Sequence, residues 1–565
     1  MPGVRTEMPE PESIAAPPPK QVADVFGVLV RLFFSRFFDK ESLSPQGDPE
    51  ANVIQTLGIL AAPGAFISLL LFFNSNGVTG WNLVSARCLF LTLSMVVISF
   101  IVVFKWDALF LDRRDYQVLL PLPLPLWKLF LAKAAAFILF LGLFLTAINA
   151  SATLFWPVVF DNGNYLGVVG AHLLVILAAG FFAAVGMACI QGLLLTLVPA
   201  KLFRPVATGA QTLLMTALVM LFFLSPLIGG SIHTLIGERG PLARYIPSFW
   251  FAGFYEELRP ATHSHELLSL GKMALPALGC AVIVFALTHL PGYRRHARKL
   301  IEAPPSNPSG PGRLHTAINT AVNRLLVKDP TQQAVYHFIG QTISRSMKHR
   351  LFLATYAGFG AALVVISLGP DPAALLRIPL TLSFVLVSGL RATFNFPAEL
   401  TANWAFQING PDQTRQCLIA MRKWTIVCGV MPLFLLLTPL ELAFFAWPLV
   451  LFQMMYGVSL SILLVELMLL DFQKIPFTCG YFPERSNLVW LIALYVGGLL
   501  LYSSSLADLE IRLMWEPREA VIFFFALLSV GLMFRKWQGR AQTENALDYL
   551  GDEDPVIRTL GIIPR

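Results

Sequence analysis

Residues Lys105–Lys133 read KWDALFLDRRDYQVLLPLPLPLWKLFLAK and lie between two long apolar segments. Their centre holds Asp112, Arg113, Arg114 and Asp115, then Leu119 and Leu120, then Pro121, Pro123 and Pro125. Each proline lacks a backbone N–H and disfavours helix in the residue before it. A short polar helix begun at Asp107 is therefore expected to stop at the Pro-Leu-Pro-Leu-Pro run, with Trp127 starting the next apolar helix. A charged, proline-stopped insert between apolar segments reads as a connection between two helices that cross a bilayer.

The rest of the chain agrees. Of 565 residues, 56% are hydrophobic and only 13% are charged, with a mean hydropathy of +0.66. Soluble domains carry roughly 25% charged residues. The expected fold class is an all-α polytopic membrane protein. The first 24 residues are polar and Pro-rich, without an apolar core near Met1, so no cleavable signal peptide is expected. The six cysteines (Cys88, Cys189, Cys280, Cys417, Cys428, Cys479) lie in or beside apolar segments without metal-type spacing and read as buried thiols. The net charge of +7 does not imply nucleic acid, because excess Lys and Arg on a membrane protein marks its cytoplasmic face.

A span needs about 20 apolar residues. About twelve segments qualify: 53–73, 88–104, 128–149, 167–199, 206–230 and 270–290, then 351–369, 374–391, 424–441, 443–471, 488–505 and 519–535. With the N-terminus inside, only eight of the 41 Lys and Arg fall on the outer side: Arg87, Arg239, Arg244, Arg259, Lys272, Arg377, Arg512 and Arg518. The other 33 fall inside, which places both termini in the cytoplasm. Val25–Phe38 (VFGVLVRLFFSRFF) is too short and too charged to span, and is expected to lie in the inner interface.

The organisation reads as a disordered tail (1–24), a first half (25–290) opening with the interfacial helix 25–38, a cytoplasmic linker (291–333), a second half (334–535) and a cytoplasmic tail (536–565). The linker carries Arg294, Arg295, Arg298 and Lys299 before PPSNPSGPG and reads as flexible connection. The halves repeat by pattern. Each opens with an amphipathic segment, the second being roughly Ala334–Arg350. Each has a cytoplasmic insertion between its second and third spans; the later one is Ala392–Lys423, with Glu399, Trp404 and Arg415. Each also has an aromatic outer loop, Ile246–Leu258 and Leu506–Arg518. Two six-helix halves in the same orientation make a parallel repeat.

This arrangement resembles ABC-2 type exporter permeases, here two permease domains fused in one chain. The resemblance covers roughly residues 25–535 and is strongest at Asp112–Lys133 and Pro247–Glu257. It implies that the cytoplasmic segment docks into a partner ABC-type ATPase. Asp112, Arg113, Arg114, Asp115, Tyr116, Leu119 and Leu120 would serve in the first half, and Glu399, Trp404 and Arg415 in the second. It also implies an outer re-entrant element. Its rings Phe249, Trp250, Phe251, Phe254 and Tyr255 read equally as a substrate gate or as an interfacial aromatic belt. The second insertion lacks the Leu-Pro run of the first.

No GxxxxGK[ST] phosphate loop occurs, and SGPGRLHT (309–316) lacks the Lys-Ser/Thr such a loop needs. The chain is thus expected not to be an enzyme and to hold no cofactor. ATP and Mg are expected in a partner subunit, with one fused permease serving two ATPase domains in the bacterial inner membrane. Membrane lipid is the other expected partner, and nucleic acid is not one. No HExxH or CxxC occurs, and His263 and His265 have no further ligand nearby. Polar residues inside spans are costly and mark function or interhelical bonding. His172, Gln191 and Glu466 lead this group, with Gln211, Glu441 and Gln453 beside them; Glu441 is expected in water at the outer end of its span. Two other classes fit twelve spans. A secondary transporter would need coupling-ion groups deep in the bilayer. A membrane-embedded transferase would need a charged catalytic cluster.

Overall fold

The computed structural model describes residues 25–38, 61–62, 64–69, 73, 80–109, 119, 125–160, 165–238, 243–262, 264–302, 313–368, 373–398, 414–470, 472, 475–478 and 488–544. These form helices joined by short connections, with no strand among the described residues. In chain order they are α1 (Val25–Phe38), α2 (Trp81–Phe104), α3 (Leu126–Phe160), α4 (Tyr165–Leu197), α5 (Ala200–Gly230), α6 (Ile232–Glu238), α7 (Pro247–Leu258), α8 (His265–Gly271), α9 (Ala274–Glu302) and α10 (Arg313–Leu325). Then follow α11 (Pro330–Arg345), α12 (Met347–Ser367), α13 (Ala373–Phe394), α14 (Thr414–Trp424), α15 (Met431–Phe444), α16 (Trp447–Met468), α17 (Leu488–Leu500), α18 (Leu506–Trp515) and α19 (Pro517–Glu544).

Among the described residues, ten helical stretches are long and apolar enough to cross a membrane. The protein is an all-α polytopic membrane protein. Each of the ten corresponds to one expected span. The expected span 53–73 lies mostly outside the described residues. The expected span 488–505 is α17 followed by a π-helical turn, Leu501–Ser505. A second π turn, Thr425–Val430, lies between α14 and α15. Its cause is in the sequence: Pro432 has no N–H to return to the carbonyl four residues back, so the ladder shifts register there.

The chain forms two compact units, and neither matches an expected half. The first comprises Met1–Leu83, Lys105–Ala188 and Trp250–Glu302; the second comprises Val84–Phe104, Cys189–Phe249 and Ala303–Arg565. Hydropathy locates spans along the chain. Which spans pack together depends on where small residues let backbones approach, because lipid tails are as apolar as leucine. Gly358 of α12 is such a place. A Cβ there would strike the Thr216 carbonyl and Val219 of α5, and beside it the rings of Phe223 and Phe359 meet at a tilt with centres 4.8 Å apart.

In the first unit, α1 buries Leu29, Phe33 and Phe37, a four-residue spacing that puts all three on one face. Phe37 stacks on Phe140 of α3 at 5.0 Å, and the Lys133 ammonium lies 5.4 Å from the Phe33 ring centre. Val25, Phe26 and Val28 remain exposed. Fourteen residues make a helix of about 21 Å, short of a hydrocarbon core of about 30 Å. The linker differs from expectation. α9 continues through the basic stretch to Glu302, since Arg and Lys are good helix formers, and α10 occupies much of the remainder. Residues 303–312 lie outside the described residues.

Candidate functional site

Of the expected ATPase-docking residues, Asp112, Arg113, Arg114, Asp115, Tyr116, Leu120, Glu399 and Trp404 lie outside the described residues. Leu119 is described and is buried. Arg415 sits in the first turn of α14. What the structure does describe is the two ends of the second insertion, both within the second unit.

The entry end follows α13. Phe477 anchors it from the loop after α16. Its φ of 66° is a left-handed conformation that costs a non-glycine residue on the order of 1 kcal/mol. Two backbone bonds hold it there: its N–H donates to the Phe394 carbonyl at 2.9 Å, and its own carbonyl accepts from the Ala398 N–H at 3.0 Å. Its buried ring contacts those of His349 (4.8 Å) and Phe394 (5.7 Å). His349 Nε2 donates to the Phe396 carbonyl at 3.1 Å, which fixes the proton on Nε2, because a carbonyl can only accept. Nδ1 then accepts from the Ser346 hydroxyl at 2.7 Å.

The exit end is α14, and three contacts hold it. The Lys423 ammonium donates to the Leu326 carbonyl at 2.7 Å and to Gln332 Oε1 at 2.8 Å, while the Gln332 amide donates to Gln416. The Trp424 ring meets Phe394 at 6.4 Å, so entry and exit touch. Arg422 pairs with Glu466 of α16 at 3.3 Å, and Arg535 of α19 donates to the same carboxylate at 2.9 Å. The Glu466 side chain is 2% exposed and that of Arg422 13%. The exit end is thus tied to α16 and α19.

The expected outer element corresponds to the short pair α7 and α8. Phe249, Phe251 and Tyr255 are buried, while Trp250 and Phe254 are half-buried. Phe251 packs on Phe182 of α4 at 5.5 Å, and the Tyr255 hydroxyl meets His172 Nδ1 at 3.3 Å. The Glu256 carboxylate accepts from the backbone N–H groups of Ala261 (2.7 Å) and Thr262 (2.6 Å), which ties off the turn between the two helices. Gly253 lies against the backbone of Leu267 and Gly271, where any Cβ would clash. Gly253→Val should therefore prise α7 from α8 at a cost of about 1–3 kcal/mol, read as a lowered midpoint of thermal unfolding in detergent. Gly279→Ala in α9, where a Cβ meets nothing, should leave that midpoint unchanged.

Gln191 is buried in α4, and Gln211 donates to the Val103 carbonyl at 2.8 Å. Glu441 corrects the sequence-based expectation. It is 7% exposed rather than in water, and α16 packs against α15. Glu510 on α18 is fully buried, and neither carboxylate has a hydrogen-bond partner among the described residues. Burial first, and the Glu441 charge second, push the Glu510 carboxyl up to about 9. Gln453 of α16 donates to the Leu376 carbonyl at 3.3 Å. His265 opens α8, and His263 lies outside the described residues.

No protein-family model, no curated protein and no solved structure matches the chain.

Proposed function

We propose that the chain is the membrane-spanning permease subunit of an ATP-driven ABC transporter, an exporter of the ABC-2 type powered by a separate ATPase. The observation that carries this is the strapping of the second insertion. Its two ends are bonded to each other and, through Arg422, Glu466 and Arg535, to two spans. A loop that only connects helices has no need of a buried ion pair to transmit force. A coupling segment does. The Asp112–Pro125 stretch and the lack of a phosphate loop in the sequence support the same assignment. In this proposal the insertions and both termini face the bacterial cytoplasm, and ATP with Mg binds the partner.

Reversing charge at both arginines of the first segment tests it. Arg113→Glu with Arg114→Glu should abolish co-purification of the ATPase while leaving expression and membrane insertion near normal. Charge reversal converts attraction into repulsion, so its effect exceeds that of simple removal. Unchanged complex formation and unchanged coupled ATP hydrolysis would make the stretch an ordinary loop.

The Glu441–Glu510 pair favours a second reading, a proton-coupled secondary transporter, since buried carboxylates without partners are the groups such a protein needs. Transport in vesicles driven by a pH gradient without ATP, and lost in Glu510→Gln, would favour it over the ABC reading.

A further inference from the structure

Where α16 and α19 pack, they leave a cleft of about 320 Å³ open to one side. Its lining follows two helical ridges. Ile462 and Leu463 lead to Glu466 on α16; Phe524, Leu528, Gly531 and Leu532 lead to Arg535 on α19. These spacings of three, four and seven keep each set on one face, so the cleft runs along the helix axes and ends at the ion pair. From Phe524 to Arg535 it is about 16 Å long at 1.5 Å per residue. Half of a hydrocarbon core of about 30 Å is about 15 Å. The groove is thus one leaflet deep, apolar along its length and charged at the end where headgroups lie. α19 is also the least buried of the ten candidate spans, as an edge that faces lipid must be.

The charges select the occupant. Arg422 and Arg535 both pair with the Glu466 carboxylate at the end of the groove. Arg535 meets Glu466 through its Nε, and its side chain is 56% exposed at the mouth. Lys536 stands beside it, exposed. A partly exposed guanidinium is suited to a phosphate oxygen pair.

We propose that this groove is a binding site for one anionic phospholipid. An acyl chain lies between α16 and α19, and the phosphate lies on Arg535. The site is independent of what the protein transports. Because Arg535 is bonded to Glu466, and Glu466 to Arg422, the lipid touches the ion pair that strapped α14 to the spans.

The test uses the full chain in mild detergent, washed free of loosely held lipid and supplied with phosphatidylglycerol or phosphatidylcholine at equal concentration. Native mass spectrometry reads retained lipid. The wild type should keep one phosphatidylglycerol and prefer it clearly over phosphatidylcholine. Arg535→Gln should lose that preference while still holding lipid. Gly531→Leu should hold none, since a Cβ at Gly531 meets nothing within 4 Å and the larger side chain grows into the groove. Ser459→Phe fills the same groove from α16 and serves if Gly531→Leu does not fold. Equal retention of both lipids by the wild type, or unchanged retention in a folded filling variant, would overturn the site. So would a protein chain found in the groove in place of lipid.

Discussion

Glu466→Ala should be the most destabilising single substitution in the second unit, costing about 3–5 kcal/mol, because it leaves the buried Arg422 without its counter-charge. Taking a guanidinium out of water is expensive, and the carboxylate helps make that tolerable. The asymmetry between the two arginines gives a sharper form of the prediction. Arg535 is 56% exposed and can be solvated when its partner goes, so Arg535→Ala should cost little, on the order of 1 kcal/mol or less. Arg422→Met with Glu466→Leu should recover most of the loss, since no charge then stays buried alone. Thermal unfolding of the four proteins in one detergent reads the series. Equal effects from Glu466→Ala and Arg535→Ala, or no recovery in the double variant, would show that the pair does not hold α14 to the spans.

The second large effect is a pH dependence. Glu510 is fully buried in α18, outside the ten candidate spans, with Glu441 as its charged neighbour. Its carboxyl rises from 4.5 to about 9. Between those values the native protein holds a proton that the unfolded chain has released. Stability therefore falls as pH rises through this window and levels off above about 9. Tyr456, whose hydroxyl donates to the Leu506 carbonyl at 2.8 Å, faces the same region. Arg377 does not relieve it, being paired with Asp508 at 3.2 Å on the surface. Glu510→Gln should make the profile shallower between pH 5 and 9, and should stabilise the protein at the alkaline end by a few kcal/mol, on the order that such a shift implies. A variant with the same pH slope as the wild type would show that Glu510 is solvated.

How much of this could be read beforehand depends on the range of the interaction. Hydropathy is local, and it found α1 at Val25–Phe38 and the start of α3 at the end of the proline run. It also separated α15 from α16 at a break that Pro448 helps to define. Helix propensity was outweighed by linker composition in 291–302, where basic residues read as flexible are helical. Burial of polar groups was not legible. Glu466 stood out as an intramembrane carboxylate, yet Arg535 lies 69 positions away and no spacing rule joins them. Glu441 looked wet because it lies near a helix end; Glu510, whose carboxyl feels its charge, is distant in sequence. Phe477 gave no signal at all, since an aromatic residue carries no preference for φ above zero. The proposed coupling segment reads in the first insertion as a proline-stopped charged stretch of sequence, and in the second only as two ends whose Phe394 and Trp424 rings meet.

The most direct test of the central proposal is purification of the tagged full chain from its native membranes in mild detergent, followed by mass spectrometry and an ATP hydrolysis assay. A separate subunit carrying a phosphate-binding loop should co-elute, ATP hydrolysis should travel with it, and the chain stripped of that subunit should neither bind nor hydrolyse ATP. Stoichiometric ATP binding by the stripped chain, or elution without any ATPase under conditions that preserve transport, would contradict the account.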